Sequence, residues 1–255
     1  MSDPHADAGP RRGVLGARAV VTGGANGIGA AVVELLSARG AEVVVLDIDS
    51  GSGAHEVVTV DLADPPAVMA AAATAAERLG GVDVLVNCAG ISTVADLRQL
   101  DLETYHRTLA VNLHAPVLLM RQLCRLMAEQ GYGRVVNVTS VHSLLSEPGG
   151  LAYDASKAAL EAATRTSAVD LARTGVLVNA VAPGFVATRM SVVDGVDELE
   201  SEWFHTVYLD HAKLPLGRAA APREIAEAVL WLTSAENTYV TGHVLVVDGG
   251  LSARL

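Results

Sequence analysis

Aromatic side chains are scarce in this chain, making up 4% of its 255 residues although 51% of them are hydrophobic. A buried core must therefore be built from Ala, Val, Leu and Ile. Basic residues are also in deficit, with 18 Lys and Arg against 29 Asp and Glu, which gives a formal net charge of −11. This acidic balance argues against nucleic acid or an anionic membrane as the main partner.

Cysteine pairs, targeting segments and membrane spans are missing as well. Cys88 and Cys124 lie in apolar runs without CxxC or zinc-ligand spacing, so we expect reduced residues, a cytoplasmic protein and no metal site. No apolar run approaches the ~18 residues that span a bilayer, and the polar start lacks the apolar segment of a signal peptide. The final Ala-Arg-Leu resembles a peroxisomal ending only loosely, and the glycosylation sequon at Asn137 lies in a predicted strand.

The chain does contain a regular alternation of short apolar runs and helical stretches. Helices are predicted at Ile28–Arg39, Ala67–Arg78, Leu102–Glu129, Tyr153–Thr174 and Arg223–Thr233. Strands are predicted at Arg18–Gly24, Ala41–Asp49, His55–Leu62, Val82–Asn87, Gly133–Ser140, Val176–Gly184 and His243–Gly250. Strands that are apolar on both faces and separated by helices are typical of a parallel sheet covered on both sides.

No internal repeat, linker or second composition regime interrupts this alternation. We therefore predict one α/β domain over residues 16–255, a Rossmann-type doubly wound parallel sheet of about seven strands flanked by helices. Residues 1–15 are expected to form a flexible tail, because they are polar and carry Pro, Gly and acids. An irregular segment around 189–216 is the expected substrate lid.

The first chemical motif is "TGGANGIG", at Thr22–Gly29, where a predicted strand turns into a helix. Glycines 23, 27 and 29 suit a tight turn, the close approach of a pyrophosphate, and helix–sheet packing. The helix N-terminus offers free N–H groups and a partial positive charge to phosphates. Asp47 ends the next strand 18 residues beyond Gly29, close to the spacing of about 20 expected for a ribose-binding carboxylate.

Asp47 also indicates which dinucleotide is used. A carboxylate can accept both adenosine-ribose hydroxyls, whereas a 2′-phosphate would face it with like charge. Two unit charges about 4 Å apart repel by about 4 kcal/mol at an effective dielectric of about 20. Because the neighbours Asn26 and Ile48 are uncharged, we predict that NAD(H) is preferred over NADP(H).

The second motif is "YDASK", in which Tyr153 and Lys157 are four residues apart on a predicted helix and share one face. A free tyrosine has a pKa of about 10, and lowering it to neutrality takes about 4 kcal/mol. An ammonium about 4 Å away supplies roughly that amount. We therefore predict that Lys157 lowers the pKa of Tyr153. Ser140 lies thirteen residues earlier, at the carboxyl end of a strand, where such sheets place ligands.

These motifs together resemble the short-chain dehydrogenase/reductase family, from about Ala17 to Gly250. The resemblance rests on "TGGANGIG", Asp61–Leu62, "NCAG" at Asn87–Gly90, Asn112, Ser140, "YDASK", "PGFVAT" at Pro183–Thr188 and "YVTGHVLVVDGG" at Tyr239–Gly250. Cys88 departs from the pattern, because many relatives carry a second asparagine there, and we expect little effect from it. Residues Arg189–Leu216 vary most within the family and cannot be carried over.

The resemblance implies an oxidoreductase in which Tyr153 exchanges the proton of a secondary alcohol. Lys157 would tune Tyr153 and hold the nicotinamide ribose, and Ser140 would hold the substrate oxygen. Asn112 would distort its helix and hold a water that links Lys157 to solvent. These four residues are the predicted catalytic set.

Cofactor and substrate contacts complete the predicted site. The residues expected to contact NAD are Gly23, Asn26, Gly27, Ile28, Gly29, Asp47, Ile48, Asp61, Leu62, Asn87, Ala89, Gly90, Tyr153, Lys157, Pro183, Gly184, Val186 and Thr188. By position, the candidate substrate residues are His142, Ser143, Leu144, Phe185, Met190, Trp203 and Phe204. Two alternatives stay open for Trp203 and Phe204, which could cover an apolar substrate or pack the lid onto the domain. His142 lines the pocket or packs, because Tyr153 already has the proton role.

We therefore predict an NAD-dependent enzyme that acts on a small-molecule secondary alcohol or ketone, with no nucleic acid or membrane partner. The alternative is a ketoreductase resembling 3-oxoacyl-carrier-protein reductase. A catalytically silent dinucleotide-binding scaffold is disfavoured, because such a protein would be expected to lose Tyr153 or Lys157. The resemblance also implies a homotetramer or homodimer.

Overall fold

The computed structural model describes residues 13–50, 55–193 and 195–253. Most of the predicted tail 1–15, and the last two residues of the Ala-Arg-Leu ending, lie outside these ranges. Among the described helices, none combines the length and the apolar character that crossing a membrane requires.

Seven parallel strands form the central sheet in the order β3-β2-β1-β4-β5-β6-β9. The predicted Rossmann-type fold class is thereby confirmed. The strands of this sheet are β1 (Arg18–Thr22), β2 (Glu42–Asp47), β3 (Glu56–Thr59), β4 (Val84–Asn87), β5 (Gly133–Val138), β6 (Val176–Pro183) and β9 (Val244–Val247).

The helices cover both faces of this sheet. They are α1 (Gly27–Ala38), α2 (Pro65–Leu79), α3 (Leu102–Leu109), α4 (Ala115–Glu129), α5 (Leu151–Asp170) and α7 (Pro222–Thr233), with a short α6 (Glu202–Phe204). Alternate strand residues point to opposite faces, so Val20 packs with α2 and α4 while its neighbour Val21 packs with α1 and α7. Both of these clusters are aliphatic, as the shortage of aromatics predicted.

The predicted long helix at Leu102–Glu129 runs through α3 and α4, and its middle is one π-helical turn at Ala110–His114. Such a turn widens the backbone and is frequent at functional sites. Helix α5 begins at Leu151, two residues before the predicted start, and ends at Asp170 instead of Thr174. After β6, segment 189–216 contains a small hairpin of β7 (Val192–Val193) and β8 (Val196–Asp197), helix α6, and a π-helical turn at His205–Asp210.

Candidate active site

A cleft of about 690 Å³ opens at the carboxyl edge of the sheet. Strand order reverses between β1 and β4, and a doubly wound sheet binds its ligand at this switch point. The cleft walls come from the turns that follow β1, β2, β3 and β4, including Gly23, Asp47, Asp61 and Gly90.

The glycine turn at the floor of the cleft has no room for side chains. A Cβ on Gly29 would lie 2.1 Å from the Gly23 carbonyl oxygen. Gly23 has φ +70°, and a Cβ there would lie 2.8 Å from the Ala89 Cα. Helix α1 starts directly behind this turn, and the Asn26 side chain does not cap it. The first N–H groups of α1 are therefore available to an anion.

Asp47 is held in place by the backbone on both sides of it. Its Oδ2 accepts from the Ala25 N–H at 3.0 Å, and its Oδ1 accepts from the Asp49 N–H at 3.0 Å. Each carboxylate oxygen keeps lone pairs for further donors, so Asp47 can still take ribose hydroxyls.

Two arginines reach the same cleft from distant parts of the chain. Arg107, on α3, pairs with Asp61 at 3.1 Å. Arg189, after β6, pairs with Asp49 at 3.2 Å. Burial opposes but does not cancel the effect of the Ala63 N–H and Arg107, which hold the pKa of Asp61 below its usual value. The glycine-turn sequence gave no sign of either arginine.

Most predicted cofactor residues line this cleft, and six do not: Asn87, Tyr153, Lys157, Pro183, Gly184 and Val186. The lining set includes Asn26, Gly27, Ile28, Ile48, Leu62, Ala89 and Thr188. The side chain of Asn87 is buried behind the cleft, where its Nδ2 donates to the Asn137 Oδ1 at 2.8 Å. Pro183 ends β6 inside the protein, Val186 packs on the core, and Gly184 borders a second cavity.

Lys157, Asn112 and Gly90 meet beside the cleft. Lys157 is 3% exposed, and its Nζ donates to the Val138 carbonyl at 2.9 Å. Asn112 lies in the π-helical turn, where its Nδ2 donates to the Ile91 carbonyl at 2.9 Å. A Cβ on Gly90 would lie 3.3 Å from the Lys157 Nζ and 3.4 Å from the Asn112 Oδ1, so only glycine leaves both side chains undisturbed.

Tyr153 and Ser140 complete this group, and they form a side-chain hydrogen bond. Burial raises the pKa of Tyr153 above its usual value, and the bond with Ser140 only partly opposes this. The Lys157 Nζ lies 5.5 Å from the centre of the Tyr153 ring, and burial lowers the pKa of Lys157 to about 8. These side chains alone therefore do not give the expected lowering of the Tyr153 pKa. Burial removes water from both groups and disfavours the charged form of each.

A second cavity of about 650 Å³ opens at Val141 and His142, directly after Ser140, and neither Ser140 nor Tyr153 lines it. Its apolar walls include Leu145, Phe185 and Val207, and its polar groups include His142, Glu147, Tyr208, His211 and Lys213. The His142 ring packs edge-on against Tyr153, with ring centres 5.8 Å apart. His142 therefore separates this cavity from Tyr153, which makes the cavity the candidate substrate site.

Comparison with known proteins matches almost the whole chain. A family model described as Enoyl-(Acyl carrier protein) reductase covers residues 23–252. The chain is 37% identical to cis-4-hydroxycyclohexanecarboxylate dehydrogenase of Sinomonas cyclohexanicum, over 92% of this chain and 96% of that protein. It is 36% identical to 3-alpha-(or 20-beta)-hydroxysteroid dehydrogenase of Mycobacterium tuberculosis, over 95% and 92% respectively.

A solved structure is also similar to almost the whole chain. The gluconate 5-dehydrogenase of Burkholderia cenocepacia, in complex with NADP and tartrate, superposes with a TM-score of 0.87 at 30% identity. The match covers 94% of this chain and 97% of that one. The chain belongs to the short-chain dehydrogenase/reductase family. It is an NAD(P)-dependent oxidoreductase that acts on CH–OH donors.

The residues of this short-chain dehydrogenase fit a dinucleotide. The glycine turn leaves a cradle that a Cβ would fill, the N–H groups of α1 face it, and Asp47 keeps free lone pairs at the far end. Gly23, Gly27 and Gly29 would hold the pyrophosphate, Asp47 the adenosine ribose, and Lys157 the nicotinamide ribose.

The predicted substrate residues of the dehydrogenase are only partly gathered at its cavity. His142 and Phe185 line it, and Met190 lines the dinucleotide cleft instead. Leu144 is 74% exposed, and Ser143 turns inward, where its Oγ donates to the buried Glu161 at 2.5 Å. Neither belongs to the cavity wall, which places them differently from the sequence-based expectation.

Of the two aromatic residues Trp203 and Phe204, Phe204 packs the lid onto the domain. Phe204 is 2% exposed and packs with Phe185 and Tyr208, at ring-centre distances of 5.0 and 5.4 Å. Trp203 is half-exposed. Its ring contacts the ring of Tyr208, but Trp203 does not line the cavity.

Several cavity residues were missed by the sequence analysis, above all Glu147 and Tyr208. The Tyr208 hydroxyl donates to the Glu147 carboxylate, and burial with this bond raises the pKa of Tyr208. No motif contains either residue, and they lie 61 positions apart. The one available signal was the low aromatic content, which made Tyr208 conspicuous within the expected lid.

Proposed function

We propose that this enzyme oxidises a secondary alcohol to a ketone with NAD⁺, and that Tyr153 is the acid–base group. The observation that carries the proposal is the meeting of Ser140, Tyr153, Lys157 and Asn112 in one group. This group adjoins the dinucleotide cleft through Gly90 and the substrate cavity through His142. Each residue type alone is common at strand ends and helix faces. Their convergence at the switch point of the sheet supports one catalytic group.

In the proposed reaction the Tyr153 Oη, in its deprotonated form, takes the proton of the substrate hydroxyl. Ser140 Oγ would hold the same substrate oxygen, because it is hydrogen-bonded to Tyr153 and follows the carboxyl end of β5. A bound nicotinamide ring would accept the hydride from the carbon and add a positive charge beside Tyr153. The charge of Lys157 favours the phenolate further, and with a pKa of about 8 Lys157 is still mostly protonated at neutral pH.

Asn112 fits the role of a support for this proton path. Both hydrogens of its amide are used, by the Ile91 carbonyl at 2.9 Å and by the Ser156 Oγ at 3.0 Å. Its Oδ1 accepts the Ile91 N–H at 2.9 Å and keeps one lone pair. The Asn112 Oδ1 and the Lys157 Nζ both approach Gly90, so this lone pair is available to a water that connects Lys157 with solvent.

Preference for NAD over NADP is part of the proposal and rests on Asp47. The related gluconate 5-dehydrogenase structure contains NADP, so membership of the family leaves this choice open. In this chain the carboxylate of Asp47 stands in the cleft, while the nearby arginines 107 and 189 are paired with Asp61 and Asp49. Use of NAD favours oxidation in the cell, because cytosolic NAD pools are generally oxidised.

The two curated relatives named above point to the substrate class. Their names describe a hydroxylated cyclohexane and a hydroxysteroid, both of them alcohols of molecules that contain aliphatic rings. A cavity of about 650 Å³ with apolar walls accommodates such a ring. We also propose a homodimer or homotetramer, supported by exposed apolar residues on α7 and β9 such as Trp231 and Val246.

The test is a screen of secondary alcohols, sugars, cyclitols and steroids with NAD⁺, repeated with Tyr153→Phe. We expect NADH formation in the wild type and a loss of at least about 10³-fold in kcat for the variant, the size of a general acid–base contribution. NADH affinity, measured by fluorescence, should change by less than about threefold.

Tyr239→Phe is the matched control, because Tyr239 is 96% exposed and outside both cavities. It should leave turnover unchanged. Normal activity of Tyr153→Phe would refute the assignment of the acid–base group, and failure of every alcohol with both NAD⁺ and NADP⁺ would refute the proposed reaction.

A further inference from the structure

His142 reaches the substrate cavity with one of its ring nitrogens already taken. Its Nδ1 lies 2.9 Å from Oδ1 of Asp154, and both side chains are largely buried, with exposures of 24% and 13%. An ionised carboxylate can only accept hydrogen bonds, so Nδ1 carries the hydrogen. In the neutral ring, Nε2 is then a lone-pair acceptor.

The Nε2 atom of His142 has no protein partner among the residues that the structure describes. His142 lines the cavity, and its ring is packed edge-on against Tyr153. A neutral His142 therefore presents an acceptor immediately beside the tyrosine that takes the proton of the reacting hydroxyl.

Further acidic groups surround this part of the cavity. Glu147 lines it and accepts from the Tyr208 hydroxyl, which uses the donor of that tyrosine within the protein. Glu198 lies close enough for His142 to influence its pKa, although burial and the charge of Glu147 raise that pKa overall. Lys213 and His211 also line the cavity and belong to an exposed stretch, and Lys213 Nζ lies 4.8 Å from the centre of the Tyr208 ring.

Resting on the proposed function, we infer that His142, oriented by Asp154, accepts a hydrogen bond from a second hydroxyl of the substrate. The ring centres of His142 and Tyr153 lie 5.8 Å apart, which is within the reach of two hydroxyls on adjacent carbons. The substrate class is then a diol or polyol with such a pair of hydroxyls, and His142 determines specificity for it. Asp154 is a positioning residue that fixes the tautomer of His142.

The test compares two alcohols that differ by one hydroxyl group, cis-1,2-cyclohexanediol and cyclohexanol. We expect the wild type to favour the diol in kcat/KM by at least about tenfold, the effect of one hydrogen bond in a buried site. His142→Leu, which keeps volume but removes the acceptor, should bring this ratio to within about twofold of unity. His142→Gln, which restores an acceptor oxygen, should recover part of the preference.

Leu144→Ala is the control, because Leu144 is two residues away, 74% exposed and outside the cavity wall. It should leave the ratio unchanged. If His142→Leu lowers kcat/KM equally for both alcohols, His142 only packs against Tyr153 and the inference is wrong. If neither alcohol is oxidised, the proposed reaction fails for this class, and the ratio of their dissociation constants in calorimetry still decides the inference.

The role of Asp154 has a readout that needs no substrate. Nitrogen NMR of the imidazole should find the Nδ1–H tautomer of His142 in the wild type and a mixture in Asp154→Ala. In the same variant, the logarithm of the ratio of kcat/KM for the diol to kcat/KM for cyclohexanol should fall by about half or more. An Nε2–H tautomer in the wild type would overturn the inference, because His142 would then offer a donor to the cavity.

Discussion

The dinucleotide cleft and the substrate cavity share the carboxyl edge of the sheet but are built from different parts of the chain. The cleft is made of backbone turns that follow strands, and a side chain is excluded at Gly29 because a Cβ would lie 2.1 Å from the Gly23 carbonyl oxygen. The cavity is made of side chains from the β5–α5 connection and from segment 189–216, joined by contacts such as that of Tyr208 with Glu147.

This difference separates what the two sites recognise. NAD and NADP both have a pyrophosphate, and a backbone turn with a helix N-terminus binds it regardless of neighbouring side chains. A substrate is distinguished by its own polar groups, so the cavity must use individual side chains such as His142. At the ribose end of the cleft, recognition also depends on an individual side chain, because Asp47 is proposed to select the cofactor.

The first test of this difference between the two sites is a substitution of Asp47. Asp47→Asn should raise the ratio of kcat/KM for NADP⁺ to that for NAD⁺ by up to about 10³-fold, corresponding to removal of about 4 kcal/mol of charge repulsion. The measurement is steady-state kinetics with both cofactors and one alcohol. The variant keeps an oxygen for the Ala25 or the Asp49 N–H, so the turn should hold its shape.

Asp49→Asn is the matched comparison, because Asp49 lies in the same cleft but is exposed and paired with Arg189 at 3.2 Å. It should change the cofactor ratio by less than about tenfold, since its charge is already compensated and screened by solvent. If both variants shift the ratio equally, the choice of cofactor depends on the release of Arg189, and the role proposed for Asp47 is wrong.

The second comparison is within the aromatic pair of the substrate side. Phe204→Ala should lower the free energy of unfolding by about 3 kcal/mol, because Phe204 is 2% exposed and packed between Phe185 and Tyr208. Trp203→Ala should lower it by less than about 1 kcal/mol, since half of Trp203 is exposed. Urea denaturation of both variants measures this. Equal losses would contradict the packing that separates the two residues.

Sequence reasoning reached the fold and the cleft because both depend on local patterns. Two-sided apolar strands predict a covered parallel sheet, and glycines 23, 27 and 29 with Asp47 mark a dinucleotide turn at fixed spacing. The π-helical turn at Asn112 also follows from the family pattern. These features are set by backbone geometry, which short stretches of sequence determine.

The cavity depends instead on which distant side chains come together. Nothing in "SEPGG" indicates that Glu147 accepts from Tyr208, and nothing near Asp49 indicates Arg189. Position along the chain also did not give side-chain direction, so Ser143 was expected to face a substrate but turns toward Glu161. The pKa of Tyr153 differs in direction from the expectation for a related reason. Burial removes hydration from Tyr153 and Lys157 and so opposes the effect of the Lys157 charge, and this burial depends on tertiary packing.

The smallest expected effect concerns Lys157, whose burial is a cost in stability that the site accepts for its chemistry. The folded-state pKa is about 8, below the ordinary value of 10.5, so the unfolded chain binds more protons between these pH values. Stability therefore rises with pH across this window, and the cost is fully present below about pH 8. Relative to Lys157→Met, the wild type should gain about 2 kcal/mol of unfolding free energy between pH 7 and about pH 9.5.

Urea denaturation at several pH values measures this difference, and taking wild type against variant cancels the titration of all other groups. Lys213→Met supplies the control, because Lys213 is the only other lysine and is exposed. Its difference from the wild type should stay constant over the same range. A constant difference for Lys157→Met as well would mean that Lys157 keeps its hydration in the folded protein. The charge of Lys157 could then lower the pKa of Tyr153 without a bound cofactor, and Tyr153 would not need the nicotinamide charge for its deprotonation.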